Sequence, residues 1–329
     1  MATTSVSLDE IESTTEQALT KHGALPWIAT AVARAVREAE ATGNLICGLY
    51  YLESYCLQLQ TGRVVGDAEP EVTQPKSASV KVDAKLGFAQ AAFERGLPVA
   101  LNTAREGGTC ALAICHSHTC TSLGYFTAQI AREGFIGIGF TNASAVVSPP
   151  GGNQAVLGTN PIAMSIPKKE GGIGFQFDQS TSAVALGKIT MAAAAGEKIP
   201  HGWAVDKNGD PTDDPKEALA GSLVSTGGYK GYGFGLMAEV LAAAVTGSVN
   251  SVDVKGLKLP DGPPHDLGQF YFLIDPTTFS GDQFWQRIER LTEVVEQQPN
   301  ARLPGSKREF PERVSIAADL WKQTQALAS

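Results

Sequence analysis

The sequence predicts an α/β fold, and three observations support it. Short apolar strands alternate with helical segments between residues 79 and 166, which is typical of α/β domains. Residues 8–63 carry mainly helical periodicity, and an amphipathic helix is predicted around residues 283–297. The sequence contains no Gly-x-Gly-x-x-Gly phosphate loop, so the predicted sheet is not an ordinary Rossmann sheet.

The N-terminal part of the chain is predicted to be mainly helical. Ser7 begins a plausible cap for a helix that reaches His22. An alanine-rich helix fits residues 26–41, and closely spaced apolar and aromatic residues suit a third helix within residues 44–63.

A break in this pattern marks a candidate domain boundary. Prolines, glycines and charges interrupt the apolar periodicity in residues 62–79. We therefore predict a helical N-terminal region of residues 1–75 that packs with residues 256–329, and an α/β domain of residues 76–255.

The α/β domain and the C-terminal part contain further predicted elements. Residues 200–215 are rich in turn-forming residues and predict a hairpin or a long loop. The predicted strands are residues 79–83, 110–115 and 270–274 and the end of the stretch 171–177. The predicted helices are residues 88–95 (ended by Gly96), 183–195 and 234–245.

The composition indicates a small-molecule partner. The net charge is -8, and the absence of a basic stripe argues against nucleic acid or an anionic membrane as partner. No apolar run approaches the roughly 20 residues of a membrane span, and no leader segment is recognisable. The five cysteines do not form an even disulfide framework, so we expect reduced thiols in a cytoplasmic protein.

Four potential metal ligands are close together in the sequence. Cys115, His116, His118 and Cys120 lie within six residues, too close for a short loop to close one tetrahedron comfortably. No second ligand pair follows them, and no metal is expected.

A polar turn at residues 116–122 joins a predicted strand to a helix that begins near Ser122. Thr119, Thr121 and Ser122 place hydroxyls beside the free N–H groups of that helix start, which is a suitable site for an anion. The alternative is that these hydroxyls only cap the helix.

Several motifs occur together in a recognisable order. They are the run from His118 to Phe126, the segments 137–142, 150–152 and 157–163, and residues 228–231. From about Leu8 to Gly305 the chain resembles the type-2 malate/L-lactate dehydrogenase family, and within it most closely the Δ1-pyrroline-2-carboxylate/Δ1-piperideine-2-carboxylate reductases. The resemblance implies an NAD(P)-dependent oxidoreductase, a homodimer, a non-Rossmann cofactor-binding sheet, and a C-terminal substrate and dimerisation part.

The resemblance also implies roles for individual residues. Thr141 would face the substrate, and Asp178 occupies the place of an acidic residue that orients a catalytic histidine in relatives. Two of the implied site segments have an ordinary structural alternative. Asn160-Pro161 is also a common turn, and an aspartate at a strand end, such as Asp178, is often only a cap. The implied cofactor-binding residues are Thr119, Cys120, Thr121, Ser122, Leu123, Asn160, Pro161, Ile162, Pro304 and Gly305.

The chain departs from the family pattern near residue 47. Cys47 stands where most relatives carry a proton-donating histidine, and Tyr51 stands where they carry an arginine that grips the substrate carboxylate. A thiol with an ordinary pKa of about 8.5 is a poor substitute for histidine. Alternatively, Cys47 is a packing residue and His118 or His116 performs the acid–base chemistry.

The loss of that histidine favours a C=N substrate, because an imine nitrogen can already carry its proton when hydride arrives. The leading hypothesis is an NAD(P)H-dependent reductase of a small cyclic imino acid, with NADPH favoured over NADH. The candidate catalytic residues are Asp178, Cys47 and His118, and Lys230 is a candidate cation for the substrate carboxylate or for a cofactor phosphate. Lys188 and Arg308 are further candidate cations. The alternatives are a malate/L-lactate-type 2-hydroxy-acid dehydrogenase and a non-catalytic cofactor-binding regulatory protein.

Overall fold

The computed structural model describes residues 2–306 and 310–329. Its α-helices are Leu8–Lys21 (α1), Pro26–Ala41 (α2), Leu52–Thr61 (α3), Ala89–Gly107 (α4), Leu123–Arg132 (α5), Leu186–Ala195 (α6), Pro215–Ala220 (α7), Tyr229–Glu239 (α8), Thr277–Ser280 (α9), Gln283–Glu296 (α10) and Ala318–Ala328 (α11). Its strands are Thr3–Ser7 (β1), Glu71–Lys76 (β2), Ser79–Asp83 (β3), Thr109–Ser117 (β4), Ile136–Thr141 (β5), Ile162–Pro167 (β6), Ile173–Gln179 (β7), Ala204–Val205 (β8), Pro211–Thr212 (β9), Ser222–Leu223 (β10), Leu267–Ile274 (β11) and Arg313–Ala317 (β12).

A mixed seven-stranded sheet forms the centre of the fold. Its strand order is β2-β3-β4-β11-β5-β6-β7. Only the β3–β4 pair within this sheet is parallel, and α4 makes the crossover that such a pair requires. The other neighbours are antiparallel. The predicted α/β class is therefore confirmed, and the sheet is not the parallel sheet of a Rossmann domain.

Aromatic packing holds α4 and α5 against this sheet. The ring centroid of Phe93 lies 5.0 Å from that of Phe126 and 5.2 Å from that of Tyr271. All three rings are buried, and burial of such a side chain contributes about 1.5–3 kcal/mol. This core fixes the start of α5 relative to the strands.

Two strands of the central sheet come wholly or mostly from outside the predicted α/β domain of residues 76–255. β11 belongs to the predicted C-terminal part, yet it lies between β4 and β5 and completes the sheet. β2 belongs to the predicted N-terminal region, yet it pairs with β3. β2 is an edge strand whose residues are mostly exposed, so its sequence resembles a loop.

The two ends of the chain pack together through β1 and β12. These strands pair antiparallel, with Thr3 opposite Ala317, and α11 packs against α1. Ser7 caps α1 through a reciprocal capping box with Glu10, as the sequence predicted.

Two predicted helices differ from those observed. The helix predicted to end at Gly96 continues to Gly107, because Gly96 serves packing: a Cβ there would lie 2.6 Å from Val82 Cγ2. The helix predicted for residues 44–63 is broken into two short 3-10 turns before α3.

A small lobe built from residues 146–157 and 184–225 packs beside the central sheet. Its core contains Val147, Ile189 and Leu223, and the predicted hairpin at residues 200–215 appears as β8 and β9. In the part of the chain that the structure describes, no helix is both long and apolar enough to cross a membrane.

Candidate active site

The candidate active site lies where the end of α2 and the following turns meet the start of α5. Cys47 and Tyr51 come from the two 3-10 turns, Cys120 and Ser122 from the loop before α5, and Asp178 from β7. Cys47 and Cys120 both lie close enough to the Asp178 carboxylate to feel its charge. Five residues predicted from sequence are therefore brought together.

The Asp178 carboxylate sits at the N-terminus of α5. Its Oδ2 accepts a hydrogen bond from the Gly124 N–H at 2.7 Å and lies 3.4 Å from Ser122 Oγ. Gly124 permits this approach, since a Cβ there would lie 3.0 Å from Asp178 Cβ. The predicted anion site exists, but the anion at Gly124 is the chain's own carboxylate, so a cofactor phosphate cannot take that N–H group.

Cys47 is held in place by the chain around it. Its N–H donates to Asn44 O, and Asn44 also hydrogen-bonds the thiol and lies 3.4 Å from Ser122 Oγ. Burial, followed by the nearby Asp178 carboxylate, raises the pKa of Cys47 to about 12 against the opposing effect of Asn44. The thiol therefore stays protonated and neutral at pH 7.

Glu40 positions the turn that carries Cys47. The residue is only 3% exposed, and its Oε1 accepts the Leu49 N–H at 2.8 Å. Burial raises the pKa of Glu40, and the hydrogen bond from Leu49 partly opposes this rise. Gly48 faces the carboxylate directly, so a side chain at this position would collide with it. Sequence reasoning missed Glu40 and Asn44, because a polar residue at or just after the end of an alanine-rich helix looks like a surface residue.

The thiol and phenol groups near Cys47 are also neutral. Burial and nearby groups raise the pKa of Tyr51, and burial and the Asp178 carboxylate raise the pKa of Cys120. Burial likewise raises the pKa of Tyr55, which packs against Tyr51. These thiols and phenols do not titrate near pH 7.

His118 belongs to a separate buried cluster. Its Nε2 lies 2.7 Å from Gln58 Oε1. Because Gln58 Nε2 donates to two backbone carbonyls, that oxygen must accept, and His118 Nε2 must carry the proton. The ring stacks on His265 with a 4.0 Å centroid distance. Burial, then His265 and Arg63, lower the pKa of His118 well below its ordinary value. The imidazole is therefore neutral at pH 7 and does not supply a proton as an imidazolium acid.

The two predicted substrate-binding residues outside the turns differ in position. Thr141 ends β5, donates to Gly268 O at 2.8 Å and also contacts the Cys120 thiol. Lys230 is exposed at the start of α8 and does not line the cavity described below. Lys188 is likewise exposed, and Arg308 lies outside the described residues.

Asn160, Pro161 and Ile162 lead into β6 beside the strand that carries Asp178. The Asn160 side chain is fully buried and donates to Glu239 Oε2 at 2.8 Å, so it ties β6 to α8. Pro161 and Ile162 are half-buried, and cofactor contact by this segment stays a prediction.

The Pro304–Gly305 segment crosses the edge strand β7 near the site. Pro304 O accepts the Gln176 N–H at 2.8 Å. Gly305 has a φ of 67°, and a Cβ there would lie 2.8 Å from Gln176 O. The predicted closing segment is therefore two residues along β7 from Asp178.

A cavity at the site and a neighbouring cavity share Glu38 as a lining residue. The first, of about 240 Å³, is lined by Asn44, Ser122 and Asp178 among others. The second, of about 750 Å³, is lined by three arginines and three acidic residues, which are Arg37, Arg132, Arg313, Asp9, Glu38 and Glu312. Of the predicted cofactor residues, Thr119, Cys120 and Leu123 are buried, whereas Thr121 and Ser122 are half-exposed.

The chain is similar along its length to known oxidoreductases. The family model described as malate/L-lactate dehydrogenase matches residues 6–316. The (2R)-3-sulfolactate dehydrogenase (NADP(+)) of Chromohalobacter salexigens is 39% identical over 92% of this chain and 90% of that protein. The Δ1-pyrroline-2-carboxylate reductase of Ancylobacter novellus is 36% identical over 98% of this chain and 97% of that protein.

A solved structure shows the same similarity to reductases at the level of the fold. The crystal structure of Δ1-piperideine-2-carboxylate reductase from Pseudomonas syringae has a TM-score of 0.91 and 32% identity, and the match covers 98% of this chain and 99% of that one. The resemblance read from the sequence is confirmed: the chain belongs to the malate/L-lactate dehydrogenase family.

Proposed function

We propose that the protein reduces a small cyclic imino acid, Δ1-pyrroline-2-carboxylate or Δ1-piperideine-2-carboxylate, to L-proline or L-pipecolate. Family membership makes it an NAD(P)-dependent oxidoreductase, and NADPH is the proposed reductant. One observation carries the choice of substrate: a thiol with a pKa of about 12 lies beside the Asp178 carboxylate, in the place of a proton donor.

A ketone substrate would need a proton delivered to its oxygen, and a suitable donor has a pKa near the working pH. Cys47, Tyr51 and Cys120 have pKa values far above it. A protonated imine needs no such donor. The Asp178 carboxylate favours a cationic iminium over a neutral ketone in this partly buried setting.

The residues present fit a dinucleotide. One buried polar atom near the loop before α5, Gln90 Oε1, lacks a hydrogen-bond partner among the described residues, whereas Gln90 Nε2 donates to Cys120 O. Such atoms call for a polar partner. Arg37, Arg132 and Arg313 line the adjoining cavity, and each of them is paired with a carboxylate. We propose that a phosphate of NADPH replaces one of these carboxylates as the partner of an arginine.

Each residue of the site has a proposed task. When bound, the reduced nicotinamide supplies a hydride to the imine carbon, and the electron pair of the C=N bond moves to the nitrogen. Asp178, fixed by Gly124, stabilises the iminium nitrogen. Cys47 lines the pocket as an uncharged side chain, held in place by Asn44 and Glu40. Tyr51 and Thr141 form the rest of the pocket lining.

A 2-hydroxy-acid dehydrogenase is the second candidate. The similarity at 39% identity to a (2R)-3-sulfolactate dehydrogenase favours it. The protein would then oxidise a hydroxy acid with NADP⁺, and a group that accepts the hydroxyl proton would have to lie among residues other than Cys47.

A homodimer and a cytoplasmic location complete the proposal. Apolar side chains are exposed along α8 and the π-turn after it, including Phe234, Leu236 and Val240, and such a surface suits association with a second copy. All five cysteines are free thiols, which fits a reducing compartment.

NADPH consumption by the purified protein tests the proposed reaction. The substrates are Δ1-pyrroline-2-carboxylate, Δ1-piperideine-2-carboxylate, pyruvate, oxaloacetate and 3-sulfopyruvate. We expect turnover with at least one imine and little with the keto acids. Preferential reduction of 3-sulfopyruvate would establish the second candidate instead.

A further inference from the structure

A cluster of three potential metal ligands lies apart from the candidate active site. Asp83 ends β3, and Cys115 and His116 lie near the end of β4. One ligand atom from each of these residues lies within 4.8 Å of the others. His118 and Cys120, which are near them in sequence, belong to other clusters.

Strand register and a β-bulge bring the three side chains together. Asp83 and Cys115 are direct partners in the parallel β3–β4 pair. On the other side of β4, Ile114 pairs with Gln269 and Ser117 with Leu267, so Cys115 and His116 together oppose a single residue. His116 has a φ of 52°. A bulge of this kind breaks the alternation of side chains and re-aims them.

Neighbouring groups already orient the ligands. His116 Nδ1 lies 2.7 Å from Asp266 Oδ1, which leaves Nε2 as the ring nitrogen for an ion. A carboxylate that holds the second nitrogen of a histidine is the usual partner of a metal-binding imidazole. Asp83 Oδ1 accepts the Lys85 N–H at 2.8 Å, so Oδ2 remains for coordination.

Access and burial also suit an ion. Cys115 is 1% exposed, whereas Asp83 and His116 are half-buried, so an ion can enter from solvent and still be shielded on the thiol side. Ligand atoms around a tetrahedral zinc ion stand about 3.3–3.7 Å apart. Contraction of the cluster by about 1 Å would therefore close three positions of a tetrahedron.

We propose that Asp83, Cys115 and His116 bind one divalent transition-metal ion of the zinc type, with water in the fourth position and Asp266 orienting His116. Sulfur and imidazole ligands select zinc or cobalt over magnesium and calcium. Binding forms a metal–sulfur bond and releases the Cys115 thiol proton to solvent. The ion would join β3 to β4 just before the loop that carries Thr119–Ser122, and it would stabilise the fold without touching the substrate.

Cobalt binding to the full-length protein tests this site. The protein is stripped of metal with a chelator and titrated with Co²⁺. We expect one equivalent to produce sulfur-to-cobalt charge-transfer absorption, Zn²⁺ to displace it, and Zn²⁺ to raise Tm. Absence of the sulfur-to-cobalt band in the folded protein would overturn the proposal.

Variants separate this site from others and from adventitious binding. Cys115→Ser and His116→Gln should abolish the band, and Asp266→Asn should weaken binding roughly 10–100-fold. Cys110→Ser is the matched control, because Cys110 is an equally buried thiol of the same strand. If Cys115→Ser fails to fold, His116→Gln decides: an undiminished band in that variant, or its loss in Cys110→Ser, would contradict the assignment.

Discussion

Asp178 Oδ2 accepts the backbone N–H of Gly124 at 2.7 Å, which anchors the acidic residue of the site to the first turn of α5. The positive end of the helix dipole stabilises the carboxylate there. The carboxylate in turn is a fixed negative charge next to Cys47 and Cys120. The site is therefore organised around one anion and neutral thiols.

Asp178→Asn should remove that charge while it retains an acceptor for Gly124. We expect kcat for imine reduction to fall about 10²–10³-fold, the cost of losing one preorganised electrostatic partner. Steady-state rates and Tm are measured together, with Asp67→Asn as an exposed control. Unchanged kcat in a folded Asp178→Asn variant would remove Asp178 from the reaction.

Glu40→Ala should loosen the turn that carries Cys47. The Leu49 N–H would lose its acceptor in a buried place, which costs about 1–3 kcal/mol of unfolding free energy. Glu40→Gln is the matched control because it keeps an acceptor oxygen and lacks the charge that burial disfavours. Urea unfolding should rank Glu40→Gln well above Glu40→Ala, and equal stability of the two would refute this role.

Arg132→Ala should weaken NADPH more than NADH. Arg132 lines the larger cavity and pairs with Glu38 at 2.9 Å. If the cavity holds a phosphate that only NADPH carries, KM for NADPH should rise about tenfold or more while KM for NADH changes little. Arg105→Ala, on the exposed face of α4, is the control. An equal rise for both cofactors would place the extra phosphate elsewhere.

The buried histidines predict an acid-labile fold. Burial, then Arg63, lowers the pKa of His265 to about 3, and the pKa of His118 is lowered too. The unfolded chain, with ordinary histidines near 6.5, therefore binds more protons below that pH. For His265 the stabilisation is complete above about pH 6.5 and is lost as pH falls toward 3, by up to about 1.4 kcal/mol per pH unit. His118 contributes in the same direction.

Urea unfolding at pH 7 and pH 5 measures this loss, and His265→Gln should reduce the difference between the two values. His201→Gln, which changes an exposed histidine, should leave it unchanged. A pH dependence that His265→Gln does not alter would show that other groups cause it.

The sequence predicted local features better than long-range ones. The cap at Ser7 is local, and the structure contains it as a capping box. The position of β11 between β4 and β5 depends on pairing between distant segments, which no local pattern reveals. Gly96 was predicted to end a helix, because the sequence alone does not distinguish a glycine that terminates a helix from one that allows close packing.

For the candidate site, too, features that depend on long-range contacts were harder to predict than local ones. The resemblance led to Cys47, Cys120 and Asp178, which the fold brings together. Sequence reasoning missed Asn44 and Glu40, whose importance depends on the turn at Gly48. The sequence also suggested His118 as an acid or base, but its partners Gln58 and His265 come from distant segments that only the structure assembles.

Cys47→Ala tests most directly the claim that the site needs no proton donor at this position. The measurement is kcat/KM for Δ1-pyrroline-2-carboxylate with NADPH, with Cys56→Ala, a buried cysteine of α3, as control. We predict a value within about threefold of that of the unaltered protein, because in this account Cys47 does not act as a general acid and its removal leaves proton transfer unchanged. A loss of about 100-fold or more in a folded Cys47→Ala variant, the usual contribution of general acid catalysis, would contradict the account.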